Sequence, residues 1–128
     1  MAEMSNYLEN AVINAVLRAT TYTSPATIYV SLHTADPTDD ASGTEVSGGS
    51  YARASSAFAS PSNGVTSNSG AVEFPQATAN WGTVGWIGLW DASTTGNMLF
   101  HTALASTKVI ETGDIFKISI GNLTVTLA

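Results

Sequence analysis

Hydrophobic residues recur with helical spacing only near the start of the chain. The residues that carry this spacing are Leu8, Val12, Ala15 and Ala19, with Ile13, Val16 and Leu17 widening the apolar side. The pattern predicts a helix over residues 6–21, capped by Asn6 and ended before Pro25. Because the apolar side is broad, we expect this helix to lie against a sheet or against another subunit.

After Pro25 the hydrophobic period changes to two, which is typical of strands. Extended segments are predicted at 27–33, 51–58, 65–66, 72–74, 83–91, 98–104, 115–120 and 123–127, with a hairpin or bulge at Gly121-Asn122 and a long surface loop at 36–50. Short alternating strands between frequent turns indicate a mainly β fold, an antiparallel β-sandwich or barrel-like domain. We predict a single domain over residues 1–128, with one N-terminal α-helix and a β domain from about residue 26 to 128.

Charged residues are unusually scarce. They make up 11% of the chain, against roughly 25% in ordinary soluble domains, while serine and threonine supply a quarter of it. Hydroxyl groups cost less to remove from water than ions, provided that they find hydrogen-bond partners. Such a surface suits permanent contact with neighbouring subunits, although a merely threonine-rich or secreted β protein has the same composition.

The net charge of −6 limits the possible partners. The cations are Arg18, Arg53, Lys108 and Lys117. Four scattered cations argue against a nucleic-acid partner and against an anionic membrane surface. The start of the chain is acidic and carries no uninterrupted apolar run, so no signal peptide is predicted. We expect synthesis in a host cytoplasm and retention there until assembly.

Candidate chemistry is sparse, and the sequence predicts a protein that is not an enzyme and has no cofactor. Cysteine is absent, and the histidines are His33 and His101. Neither histidine lies in a nucleophile elbow, a zinc-protease helix or a phosphate-binding loop. Both are expected to be ordinary partly exposed or sheet-packed residues.

Carboxylates cluster in the loop that follows His33. Asp36, Asp39 and Asp40 could surround a cation, but the run lacks the alternating aspartates and the glycine of a calcium loop. Aspartates in such loops most often form turns. No metal site is predicted, and whether the loop from Asp36 to Asp40 binds a cation stays open.

The tryptophans are the most informative residues for binding. Trp86 and Trp90 are predicted to share one face of a strand, with Gly88 leaving room between them. They could cover the core, anchor a subunit interface or form a platform for sugar rings. Together with the helix they define the candidate interface, which consists of Leu8, Val12, Val16, Leu17, Trp86 and Trp90.

Several longer segments carry a family resemblance. They are residues 7–10 (Tyr-Leu-Glu-Asn), 28–38, 43–53, 81–83, and 113–125 with its Gly113-Asp114 and Gly121-Asn122-Leu123-Thr124-Val125. In these segments the chain resembles small structural proteins of tailed bacteriophages that are labelled tail-fibre, head-decoration or cement proteins. The resemblance implies a virion structural protein, and it implies no catalytic residues.

The resemblance leads us to expect a capsid cement or decoration protein on the capsid surface of a virion. It would stabilise the head by burying area between neighbouring capsid subunits. Its partners would be the major capsid protein and copies of itself, in a homotrimer or another closed oligomer. The alternative is a tail-fibre or tail-associated protein that binds host surface carbohydrate.

Overall fold

Nine strands and one helix lie within residues 2–127, which are the residues described by the computed structural model. In chain order they are β1 (Glu3–Met4), α1 (Asn6–Leu17), β2 (Ile28–His33), β3 (Ala54–Ser56), β4 (Val65–Ser67), β5 (Val72–Glu73), β6 (Gly82–Trp90), β7 (Met98–Ile110), β8 (Lys117–Ile118) and β9 (Thr124–Thr126). Every strand pairing among these residues is antiparallel. The predicted mainly β fold with one helix is confirmed.

The strands form one open sheet and two short ribbons. The sheet has the order β1-β7-β6-β2-β3, and the ribbons pair β4 with β9 and β5 with β8. One buried cluster joins both parts, with Val30, Leu32, Val84, Ile87 and Leu89 from the sheet and Val72, Phe74, Phe116, Leu123 and Val125 from the ribbons and their flanks. The architecture is therefore a single two-layer sandwich, and the described strands do not close into a barrel.

An aromatic group fills the centre of the core. Phe74 contacts Phe116 edge to face, with ring centroids 5.7 Å apart, and lies 6.3 Å from the centroid of Tyr51 in a stacked arrangement. Tyr51 in turn meets Trp81 edge to face at 5.3 Å. The indole N–H of Trp81 donates to the Gly49 carbonyl at 2.9 Å. Trp81 is thus a core residue with its polar atom satisfied.

The helix is shorter than predicted and is capped by a different residue. Ser5, rather than Asn6, is the N-cap, and its Oγ accepts from the Leu8 amide at 3.2 Å. The helix ends at Leu17 instead of residue 21, since Ala19 adopts a φ of +55° and leaves the right-handed helical region. No helix within residues 2–127 is both long and apolar enough to cross a bilayer.

The N-terminal segment belongs to the sheet rather than preceding it. β1 pairs with β7, with Glu3 opposite His101. Ser5 donates from its backbone N–H to the Leu99 carbonyl at 2.9 Å, and its hydroxyl donates to the Met98 carbonyl. The sheet therefore also includes a strand that precedes the helix.

A bulge changes the side on which one core residue lies. The register between β6 and β7 shifts between Val84 and Trp86. Val84 joins the buried cluster with Ile87 and Leu89, whereas strict alternation along β6 would place it on the same face as Trp86.

Other predicted segments also differ from the structure, and the predicted strand 98–104 extends to Ile110 in β7. The predicted strand 51–58 shortens to β3, and 115–120 shortens to β8. β8 and β9 pair with β5 and β4, so Gly121 and Asn122 do not form a hairpin. The 36–50 loop is anchored to the body through the buried side chain of Val46.

Candidate functional site

An exposed apolar surface lies on the outward side of α1. Its members are Val12, Ile13, Val16 and Leu17, with 39%, 52%, 73% and 76% of each residue exposed; we call them the helix face. Leu8, one helical turn before Val12, is buried. Of the four predicted helical interface residues, Val12, Val16 and Leu17 thus share one exposed surface, and Leu8 attaches the helix to its own domain.

An apolar groove of about 440 Å³ opens at one end of the sandwich. We call it the end groove, and its apolar lining is Ile28, Phe58, Pro61, Val65, Leu89, Leu99, Phe100, Val125 and Leu127. The helix joins the domain at this same end, because Leu99 accepts the Ser5 amide hydrogen bond. The chain returns from the helix to the sheet at Ile28, which also lines the groove. The segments before and after the helix therefore each reach a residue that lines the end groove.

The predicted pair of tryptophans does not form an open platform. Trp90 is 8% exposed, while Trp86 is half-buried. The space over Gly88 is occupied, since a Cβ placed there would lie 2.8 Å from Ser31 Oγ and 2.9 Å from Trp90 Nε1. Trp90 acts as a structural residue, and only part of Trp86 is available to a partner.

A chain of buried hydrogen bonds explains the burial of His33. The Trp90 indole N–H donates to Ser31 Oγ at 2.8 Å, and Ser31 Oγ lies 2.7 Å from His33 Nε2. His33 Nδ1 lies 3.2 Å from the Gly43 carbonyl, which can only accept. We therefore assign the proton to Nδ1, so that Nε2 accepts from Ser31. Burial lowers the pKa of His33 below its ordinary value of 6.5, which favours this neutral form.

Ser31 and His33 have the spacing of a nucleophile and its base, but both are buried away from solvent. Ser31 is 0% exposed and His33 is 1% exposed. A nucleophile must reach its substrate for covalent catalysis to proceed. The pair accordingly serves the packing between β2 and β6, as predicted for a sheet-packed histidine.

A second polar network lies beside the hydrogen bonds of His33, and the sequence did not predict it. Arg53 binds Glu45 through two nitrogens, at 2.8 and 2.9 Å, and the Tyr51 hydroxyl donates to Glu45 at 2.7 Å. Burial opposes ionisation of Glu45, but the hydrogen bonds from Arg53 and Tyr51 outweigh it and lower the pKa of the carboxyl. Burial and the bond to Glu45 raise the pKa of Tyr51. Glu45 and Arg53 are 8 positions apart in the chain. The rarity of cations was the one feature of the sequence that could have drawn attention to Arg53.

The aspartates of the loop after His33 have two different roles. Asp36 accepts from the Thr38 amide at 3.0 Å, and Asp40 accepts from the Thr38 hydroxyl at 2.6 Å, as turn-forming aspartates do. The hydrogen bonds from Thr38 and Ser42 lower the pKa of Asp40. Asp39 instead reaches the sheet, where its Oδ1 lies 2.8 Å from Nε2 of the buried His101.

Comparison with known proteins identifies a matching family. A family model described as "Podophage GP4 fiber I protein gp80" matches residues 3–126. A search of curated proteins returned no match.

Proposed function

The chain belongs to the podophage GP4 fiber I protein gp80 family, and from that membership we propose that it is a fibre subunit that assembles with copies of itself through the helix face. The family is one of phage fibre structural proteins, and the chain is accordingly a phage virion structural protein. The observation that carries the proposed mode of assembly is the outward apolar surface of α1, where Val16 and Leu17 are about three-quarters exposed.

Burial of the helix face would stabilise both the contact and the helix. Complete burial of an aliphatic side chain contributes roughly 1.5–3 kcal/mol. A helix of 12 residues is marginal in water without tertiary contacts, and α1 is held mainly through Leu8 and its cap. Packing Val12, Val16 and Leu17 against neighbouring subunits would supply the missing contacts. Arg18, the cation at the end of the helix, would stay near the rim of such a contact.

Neighbouring copies offer a suitable surface for the helix face. The end groove, at one end of the sandwich, is apolar like the helix face. In a closed ring, each subunit can present one surface to the next subunit and receive the other. We propose a trimer or another closed oligomer built around this end of the sandwich. The scarcity of charge leaves few ions to be desolvated in that assembly.

A head-decoration or cement role is the second candidate function for the same surface. An apolar helix face can dock on the major capsid protein as readily as on another copy, and Val16 and Leu17 would then insert between capsid subunits. The fibre role is preferred because the matching family is described as a fibre protein.

Carbohydrate binding by the fibre stays a prediction. The Trp86 and Trp90 pair offers little support for it, because Trp90 is buried. A sugar site would have to use other residues, and the half-buried ring of Trp86 is the aromatic part of that pair still open to contact.

Immunogold electron microscopy of intact virions tests the proposed location. Antibodies raised against the purified chain should label the fibres and leave the head surface unlabelled. Labelling that covers the head would overturn the fibre assignment and support decoration. Particles assembled without this protein serve as the control for non-specific labelling.

A further inference from the structure

Three chain segments bring two carboxylates and an imidazole together at the edge of the sheet. Glu3 lies on β1, Asp39 in the loop after β2, and His101 on β7. His101 Nε2 is 2.8 Å from Asp39 Oδ1 and 3.8 Å from Glu3 Oε2. One ligand atom from each residue lies within 4.8 Å of the other two. We call these three residues the edge cluster.

We propose that the edge cluster is a binding site for one divalent cation, with Zn²⁺ as the best-fitting ion. One histidine nitrogen and two carboxylate oxygens form a three-ligand set that Zn²⁺ accepts, with water in the fourth position. Bonds of about 2.0–2.1 Å in a tetrahedron place neighbouring ligand atoms about 3.3 Å apart. The distances from His101 Nε2 to Asp39 Oδ1 and to Glu3 Oε2, 2.8 and 3.8 Å, lie on either side of that value. Small side-chain rotations of the exposed Glu3 and the half-exposed Asp39 would therefore form the site.

The surroundings of His101 supply an independent argument. The residue is 6% exposed, so its ring is held in place while Nε2 points at the two carboxylates. On the other side of the ring, Asp36 Oδ1 lies 3.9 Å from Nδ1, too far for a hydrogen bond. Carboxylates beside the second nitrogen of a metal-binding histidine orient the ring and increase its basicity. A small rotation of the Asp36 side chain, which is 55% exposed, would bring it within hydrogen-bond distance of Nδ1 and into that role.

The charge balance of this region also favours a cation. Glu3, Asp36 and Asp39 converge on His101, which can contribute at most one positive charge. Among the described ion pairs, the one that involves a lysine or an arginine is Arg53 with Glu45, away from this region. A divalent ion would remove the mutual repulsion of the carboxylates.

Binding at the edge cluster would fix the position of α1. Glu3 lies directly before the helix, and the Asn6 amide donates to the Asp39 carbonyl at 2.9 Å. A cation that joins Glu3, Asp39 and His101 would thus tie both the strand before the helix and the loop beside it to β7. The site goes beyond the proposed fibre role, because it makes no use of the helix face or the end groove.

Isothermal titration of the untagged, chelator-treated full chain with ZnCl₂ tests the proposal. We expect one Zn²⁺ per chain. Asp39→Asn and His101→Gln should each weaken binding by about tenfold or more, while Asp40→Asn, in the same loop but bonded locally, should bind as the wild type does. Glu3→Gln is a further variant at an exposed position, so its loss of binding would not reflect misfolding.

Two results would overturn the proposal. One is the absence of binding at millimolar Zn²⁺ in the wild-type chain. The other is binding that Glu3→Gln, Asp39→Asn and His101→Gln leave unchanged, which would place the ion elsewhere. Circular dichroism of each variant confirms that the β fold is retained. A failure of this site leaves the fibre assignment unaffected, since the virion labelling is read separately.

Discussion

The guanidinium of Arg53 lies 3.8 Å from the centroid of the Trp90 ring. The same group binds Glu45 and donates to the carbonyls of Ala92 and Thr95, at 2.9 and 2.8 Å. Its side chain is 6% exposed, so these contacts are made largely away from water. Arg53 therefore covers the indole face that a sugar ring would have needed, and it joins the segment leading into β3 to the turn after β6.

Replacement of Arg53 by lysine should destabilise the fold. Lysine keeps the charge but loses the paired bonds to Glu45 and the planar contact with Trp90. We expect a loss of about 1.5–3 kcal/mol in the free energy of unfolding, the range for hydrogen bonds to charged groups. Urea denaturation measures it. Arg18→Lys, at the exposed end of α1, is the matched control and should change stability by less than about 0.5 kcal/mol. Equal effects of the two changes would contradict the role given to Arg53.

A methyl group at Gly88 should break the hydrogen-bond chain from Trp90 to His33. The added carbon would lie within 3 Å of both Ser31 Oγ and Trp90 Nε1. We expect Gly88→Ala to lower stability by about 1–3 kcal/mol, as overpacking usually does. Gly70→Ala is the control, because nothing lies within 4 Å of the place that its added methyl group would take and its φ is not positive. A neutral Gly88→Ala variant would show that the space is open after all.

The stability of the protein should fall as the pH drops below about 6.5, through His33. Burial lowers the pKa of His33 in the folded state, so the unfolded chain binds the extra proton first. Stability then rises with pH across the window from the lowered pKa up to the ordinary value of 6.5. Thermal melts at a series of pH values on both sides of this window should show the slope. His33→Gln should flatten it, even if the variant is less stable overall, and an unchanged slope would assign it to another group.

Glu45 should produce a separate loss of stability at lower pH. Its pKa is lowered from an ordinary 4.5 in the folded state, despite burial, by the bonds from Arg53 and Tyr51. The stabilisation is complete above that ordinary value and disappears as the pH falls through the lowered pKa. Glu45→Gln should remove this acid-sensitive part, and acid titration monitored by tryptophan fluorescence measures it. A wild-type acid transition that the substitution leaves in place would contradict the role of Glu45.

Local patterns predicted the elements but not their ends or partners. The alternation in β2 and β7 and the helical spacing around Val12 were sufficient to predict a mainly β fold with one helix. The end of α1 depends on the positive φ of Ala19. Alanine rarely adopts such a φ, so residue preferences did not predict this end of the helix. The face of the sheet on which Val84 lies depends on a bulge. Local sequence does not specify such irregularities.

The candidate surfaces were predictable in part for the same reason. The apolar side of the helix follows from its periodicity, so Val12, Val16 and Leu17 were predicted to belong to it. Contacts between distant segments do not follow from periodicity. Asp39 and His101 are 62 positions apart in the chain and meet only because the loop after β2 reaches β7. The burial of Trp90 likewise depends on Arg53, which comes from another strand region.

Sedimentation velocity of the purified chain and of Leu17→Lys shows whether the helix face assembles copies of the protein. Lysine suits the last turn of a helix, and Leu17 is 76% exposed, so the thermal melt of the isolated domain should not change. Ala15→Lys adds the same charge at an exposed position on the opposite side of the same helix and should assemble normally. We predict a closed oligomer for the wild type and for Ala15→Lys, and a folded monomer for Leu17→Lys. A wild type that stays monomeric at high concentration, or a Leu17→Lys variant that forms the same oligomer, would contradict assembly through the helix face.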